Sequence, residues 1–275
     1  MERTDRIIIN EVTVGTDCEL FIVDPIQKEY IPAIGRIGGM KGYPVPIGNG
    51  CGLEEDNVAV EFTVPSVSII GGEEAMWGSI QHCLTEIKRR FPDAYELAII
   101  PSAIFSKEAL VDPMARVFGC EPDFNAWKDG SMNPHPKSKN KRLRSCGGHI
   151  HIGYNNPYID VSMAIVRALD VHVTIPSLLI DTDTRRRELY GKAGSFRPKD
   201  YGVEYRTISN FWIKDKSYVD WVFAAINNAL RAVNQGVDFQ SASADIISAI
   251  NTSNVELASE LIHRYEVTTV DAAAV

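Results

Sequence analysis

The sequence predicts an α+β domain in which helices cover the outer face of a curved, mainly antiparallel sheet. Two observations predict it. Strand-like and amphipathic helical segments are interspersed along the 275 residues. Several of the strands are apolar on one face and polar on the other, the pattern of a sheet buried on one side only. A hydrophobic fraction of 45% suffices for a sizeable core, and no repeat of fixed period appears.

Taken in order, residues 11–23 alternate loosely and end at the turn signal Asp24-Pro25, after which residues 29–33 return as a hairpin partner. Gly35, Gly38, Gly39, Gly42, Gly48, Gly50 and Gly52 then form a glycine-rich stretch that reads as a mobile connection. It contains no Gly-x-x-x-x-Gly-Lys-Ser/Thr, so it is not a P-loop. Glu54, Glu55 and Asp56 read as a solvated turn. Residues 57–64 form a strand with Val58, Val60 and Phe62 on one face and Ala59, Glu61 and Thr63 on the other.

Residues 73–91 give the clearest helix, with Met76, Trp77, Ile80, Cys83, Leu84, Ile87 and Phe91 at three- and four-residue spacing. Glu73 and Glu74 at its start, Lys88, Arg89 and Arg90 in its last turn, and Pro92 beyond agree with that direction. Residues 95–105 read as a buried strand, 107–118 as a short helix and 119–140 as loop. Residues 159–173 form a helix with Met163, Val166 and Leu169 in its stripe, and Pro176 breaks or kinks its continuation. Residues 202–208 return to strand. Residues 215–234 form a long helix with Val219, Val222, Phe223, Ile226 and Leu230 in its stripe, closed by Gly236. Two short helices over 241–264 and a frayed tail over 268–275 complete the chain.

Composition narrows the function. A net charge of -8 disfavours general nucleic-acid binding. Cys18, Cys51, Cys83, Cys120 and Cys146 are odd in number and lack Cys-x-x-Cys spacing, which argues for reduced thiols rather than a disulfide framework or a zinc knuckle. The amino terminus lacks the apolar length of a signal peptide and no run spans a bilayer, so the expected location is cytoplasmic, without membrane partners. Two basic stretches stand out. Residues 137–144 hold five cations and read as a solvated loop or as a flap over an anionic ligand. Residues 185–199 hold six cations and two glycines.

The chemistry lies on the polar strand faces. In Cys146-Gly147-Gly148-His149-Ile150-His151-Ile152-Gly153 the two imidazoles share one face and the isoleucines the other. Asp17 and Glu19 share a face in 15–21, Glu61 sits in 58–62, and Glu204 and Arg206 share a face in 202–207. If these strands are neighbours, the four carboxylates converge. Two like charges ~4 Å apart at an effective dielectric of ~20 repel by about 4 kcal/mol, so such a cluster needs bound cations or protonation. Carboxylate-rich ligation with one imidazole favours Mg²⁺ or Mn²⁺, and magnesium commonly takes phosphate oxygens, which makes a nucleoside triphosphate the natural companion. The guanidinium groups of 185–199 suit a transferring phosphoryl group.

This ordered set resembles the carboxylate-amine ligases of the glutamine synthetase and glutamate-cysteine ligase superfamily. It is most similar to the phage-encoded COOH-NH2 ligase type 2 family, through residues 15–20, 119–127, 147–153 and 190–210. The resemblance implies a glutamine synthetase-like catalytic domain over 1–236, with 237–275 as a C-terminal helical extension packed on it. It implies an ATP- and Mg²⁺-dependent enzyme, with Mn²⁺ as an alternative ion, that phosphorylates a carboxylate and lets an amine displace phosphate to form an amide. It further implies that Glu19 and Glu61 hold one metal and Asp17, His149 and Glu204 another. His151 would contact the nucleotide, and Arg206 and Arg197, with Arg187 as a further candidate, the γ-phosphoryl group. Asp17 departs from the superfamily's usual glutamate. Phage origin places the enzyme in the host bacterial cytoplasm.

Two rival readings stay open: a zinc hydrolase built on His149 and His151, with Cys146 as a further ligand, and a non-catalytic phage binding or assembly protein on the same fold. The carboxylate and amine substrates are not legible, and a closed homo-oligomer is the default for an enzyme of this size.

Overall fold

A long central strand, β1 (Thr13–Asp24), organises the molecule. The computed structural model describes residues 8–117 and 123–270. The remaining strands are β2 (Glu29–Ile31), β3 (Val45–Gly48), β4 (Cys51–Asp56), β5 (Ala59–Ser68), β6 (Glu96–Ala98), β7 (Ser102–Ile104), β8 (Phe124–Asn125), β9 (Ser131–Met132), β10 (Leu143–Ser145), β11 (Gly148–Gly153), β12 (Ser195–Lys199) and β13 (Gly202–Tyr205). The main sheet is open and runs β3-β4-β5-β1-β11-β13-β12-β8-β9, with every ladder antiparallel. β1 changes partners along its length. Its first part lies between β5 and β11, and its last residues pair with β2 and β6.

Alternation along β1 decides which side is which. Val14, Cys18, Leu20 and Ile22 enter the main core together with Val60, Phe62, Ile150, Ile152, Val203 and Tyr205 from the neighbouring strands. Helices cover that face. Helix α1 (Glu73–Lys88) packs on β4 and β5, and α2 (Ile159–Leu169) on β12 and β13. A π-helical turn (Asp170–Thr174) leads from α2 into α3 (Ile175–Ser177). After α4 (Arg186–Leu189), the long helix α5 (Lys216–Gln235) packs against both α1 and α2. Asp215 caps α5 by accepting from the Ser217 N–H, and Gly236 ends it in the left-handed conformation only glycine adopts readily. Helices α6 (Ser243–Thr252) and α7 (Val255–Arg264) place Ile246, Ile250, Ala258 and Leu261 in the same core.

The opposite face is partly roofed. β7 and β10 form a two-stranded sheet, and Phe21, Ala59, Phe105 and Cys146 pack beneath it as a second apolar cluster. Phe21 and Phe105 meet edge to face at 5.3 Å. This closes one end of the polar face and leaves the row beyond it open to ligands.

Several expectations need correction. Glu54, Glu55 and Asp56 do not form a solvated turn: they end β4, and Glu54 and Asp56 are buried. Glu55 accepts from the backbone N–H groups of Gly35, Arg36, Ile37 and Gly38, and Glu54 from Gly42, so this acidic strand pins the glycine-rich connection. The strand expected over 95–105 splits into β6 and β7 around Pro101, which has no N–H to give a ladder. The helix expected over 107–118 is two 3₁₀ turns, Glu108–Leu110 and Met114–Arg116. Its last residue, Phe118, lies outside the described residues, as do Gly119 to Pro122 of the 119–127 motif, Cys120 among them, the amino-terminal residues 1–7 and the tail 271–275. The four described cysteines are buried and free of disulfides.

Candidate active site

The four polar strand segments are consecutive neighbours in the sheet, in the order β5-β1-β11-β13. Register sets who meets whom. Glu19 stands opposite Glu61, Asp17 opposite His149, His151 opposite Glu204, and Glu204 opposite Arg197. Beyond Glu61 comes Glu54 on β4. One oblique band of ionisable side chains therefore crosses six strands.

Two groups of three possible metal ligands lie in that band, each with its donor atoms within 4.8 Å of one another: Asp17, His151 and Glu204, and Glu19, Asp56 and Glu61. The first differs from the set implied by resemblance, since His151 rather than His149 completes it. His151 Nε2 lies 3.0 Å from Asp17 Oδ2, while its Nδ1 meets the Tyr201 hydroxyl. His149 Nδ1 lies 3.1 Å from Asp17 Oδ1 and 3.4 Å from Arg206 Nη1. The second group gains Asp56, which also accepts from Lys41 Nζ at 2.8 Å. Period-two spacing of Glu54 and Asp56 was the available signal for it; the turn reading obscured it.

The Gly147-Gly148 pair explains how β1 and β11 fit. A Cβ on Gly147 would collide with the His149 ring, and one on Gly148 with the Ser209 carbonyl. The bare Gly147 backbone donates its N–H to Glu19 Oε2 at 2.8 Å.

Electrostatics divides the band. Burial and the Asp56 charge push Glu19 up to about 7, against the Gly147 N–H and Arg206. Burial followed by the charges of Asp17, Glu19, Asp56 and Glu54 pushes Glu61 well above the usual carboxylate range. Glu204 goes the other way: burial opposes ionisation, but Arg206, His149 and Arg197 hold it down to about 2. It pairs with Arg206, with Arg197 at 3.5 Å and with Lys199 at 2.8 Å. Asp17, half-buried, is held well below its ordinary value: burial works against its charge, and His151 and His149 outweigh burial. Burial and Arg206 lower His149 to about 4, so it is neutral at pH 7. His151 is raised: burial works against its charge, and Asp17 outweighs burial. Two cavities flank the band. One is lined by Glu19, Asp56, His149, Arg186 and Arg206; the other, of about 380 Å³, by Asp17, Thr63, His151 and Tyr201.

Arg187 does not join the band. It is buried on α4 and donates to the Asp183 carbonyl and Ser253 Oγ. Arg186 lines the cleft instead, but its donors serve the carbonyls of Cys146, Arg206 and Thr207. Lys199 and Tyr201 are further participants; Lys199 shares the face of Arg197 by simple alternation. Trp127 is buried and donates its indole N–H to Asp170. Asp170 also accepts from the Gly194 N–H and the Tyr205 hydroxyl, tying the ends of β12 and β13 together. Among the described residues no three-ligand group contains Cys146 or both imidazoles.

The model of the family described as phage phiEco32-like COOH.NH2 ligase-type 2 matches residues 126–264, just over half of the chain. The chain belongs to that family. The match takes in β11, the basic segment 185–199 and β13, while Asp17, Glu19, Asp56 and Glu61 lie N-terminal to it. The family's name supports joining a carboxylate to an amine. No curated protein matches the chain. Among the described residues no helix is long and apolar enough to cross a membrane.

Proposed function

We propose that this cleft is an ATP- and Mg²⁺-dependent carboxylate-amine ligation site on a glutamine synthetase-like catalytic fold. The observation that carries the reading is the pair of adjacent three-ligand groups on one sheet face, bordered by Arg206, Arg197 and Lys199. The donors are carboxylate oxygens with a single imidazole, a hard set that suits Mg²⁺ or Mn²⁺ better than zinc. Burial, and after it the charges of neighbouring carboxylates, raises Glu19 and Glu61, as expected of buried acids whose counter-charge a bound cation would supply. Glu19, Asp56 and Glu61 would hold one ion, and Asp17, His151 and Glu204 a second; bound there, they would screen the phosphates of ATP.

The chain's own groups account for the rest. Arg206 and Arg197 face the position where the γ-phosphoryl group would sit and offset its charge as a substrate carboxylate attacks. The attack releases ADP and leaves an acyl phosphate. An amine then displaces phosphate, forming the amide and losing one proton. His149, neutral at pH 7 and beside the first cavity, is placed to orient a polar substrate group. We assign Arg187 no part, since its donors serve α4 and α6. The compartment we assign is the host bacterial cytoplasm, where ATP is supplied.

The test is ADP release with Mg²⁺ and a broad pool of carboxylates and amines. Magnesium-dependent ADP formation coupled to amide formation is expected. Its absence across the pool overturns the ligase reading, and zinc-restored hydrolysis without nucleotide would replace it with the metallohydrolase.

A further inference from the structure

Outside the cleft, the 3₁₀ turns and the loop leading into β10 enclose a groove of about 720 Å³. Its walls carry Lys107, Lys137, Lys141 and Arg142, all exposed, over a floor that includes Leu110 and Pro136. Arg116 and Arg144 complete the lining, with guanidinium donors already given to the carbonyls of Leu110, Val111 and Ala115. Among the described residues, six of the nine that line the groove are cationic and none is acidic. In a chain of net charge -8, that concentration is local and one-signed. Among the described residues, Lys107, Lys137, Lys141 and Arg142 have no carboxylate within ion-pair distance.

The groove lies beside the cleft. Arg144 lines both the groove and the cavity of Glu19, His149 and Arg206, and Pro136 and Lys137 line both the groove and a pocket that also carries Asp123, Glu188, Tyr190 and Lys192. We propose that this groove binds an acidic polypeptide segment, laid along the four exposed cations and passing toward the cleft. One feature favours a peptide over a nucleic acid: among the described residues, the lining has no aromatic side chain on which a base could stack. That the segment also supplies the carboxylate for ligation rests on the proposed ligase function; its binding does not.

The test is fluorescence anisotropy of labelled dodecaglutamate with the full chain, without nucleotide or metal. Two variants are compared. Lys107→Glu/Lys141→Glu/Arg142→Glu reverses the groove, and Lys28→Glu/Lys214→Glu/Arg231→Glu makes the same net-charge change at exposed sites elsewhere. The expected result is saturable wild-type binding, weakened about tenfold or more by the groove variant and much less by the control. Equal weakening by both, absent wild-type binding, or tighter binding of a labelled single-stranded oligodeoxynucleotide of equal length overturns the proposal. Should the groove variant melt well below wild type, Lys107→Ala/Arg142→Ala takes its place, with an expected loss of about threefold or more and no loss counting against the proposal. Because no ATP is present, these outcomes are separate from failure of ADP release.

Discussion

The two ligand groups occupy the same sheet face, side by side, yet their carboxylates behave in opposite ways. Glu204 is encircled by Arg206, Arg197 and Lys199 and is held ionised. Burial and the neighbouring carboxylates push Glu19 and Glu61 toward protonation, and the Gly147 N–H, Arg206 and Lys41 work against this at Glu19. The difference shows that burial alone does not decide the charge state, since both groups are buried. What decides it is whether the fold supplies the counter-charge or leaves it to a ligand. At the Glu204 end the protein's own cations hold the carboxylate ionised before any ion binds; the Glu19/Glu61 end holds unbalanced negative charge that a divalent cation would satisfy.

Substitution of Glu204 should separate the ends most sharply. Glu204→Ala leaves three cations around a vacated, buried position, and removing one member of a buried pair costs about 3–5 kcal/mol. Denaturant unfolding should show that loss, alongside a fall in turnover on the order of 10³-fold. A variant as stable as wild type would break the contrast, because the counter-charge would then not be structural.

Glu19→Gln should do the reverse to stability. Folding raises the Glu19 pKa from 4.5 to about 7. The folded state therefore binds the proton more tightly than the unfolded chain, and Glu19 erodes stability as pH rises from about 4.5 through about 7. Above that window the accumulated cost is on the order of 3 kcal/mol. Melting at pH 8 without metal should find Glu19→Gln more stable than wild type, with a smaller rise in Tm on adding Mg²⁺. At pH 4 the gain should vanish. Glu204 has the opposite sign: its stabilisation is present above pH 4.5 and is lost as pH falls toward about 2. A Glu19→Gln variant that is destabilised at pH 8, or that keeps the full Mg²⁺ response, would falsify the assignment of unbalanced charge to this end.

The smallest of these effects concerns the residue between the two groups. Arg206 is paired with Glu204 and also relieves Glu19. Arg206→Lys keeps the charge but loses the planar fork, so turnover should fall about 10²-fold with a change in melting of only a few degrees. Steady-state kinetics beside a melting curve would sharpen the division between structural and chemical work at this position.

How much of this was legible along the chain depends on how local each cause is. A strand alternates whatever surrounds it, so Asp17 with Glu19, His149 with His151, and Glu204 with Arg206 could each be placed on a common polar face from spacing. Helix α5 was legible because its stripe and its Gly236 stop act within a few residues. Asp56 was misread because its role comes from the β4-β5 hairpin, where burial overrode a run of acids that resembles a solvated turn. Arg187 and Arg186 differ by one position on a short helix, and only packing sends one toward Ser253 and the other to the cleft.

By itself, then, the sequence determined the α+β class, the polar faces and the acidic, oxygen-rich character of the residues on them, because periodicity and side-chain chemistry need no partner. Only the tertiary structure decided the strand order β5-β1-β11-β13, the register that sets Asp17 opposite His149 and Glu204 opposite His151, and the division of one band of charges into an end rich in cations and an unbalanced one. Those outcomes depend on which strands pair and how far each slides past its neighbour. Such long-range choices are made by burial of the opposite, apolar face, and no local pattern encodes them.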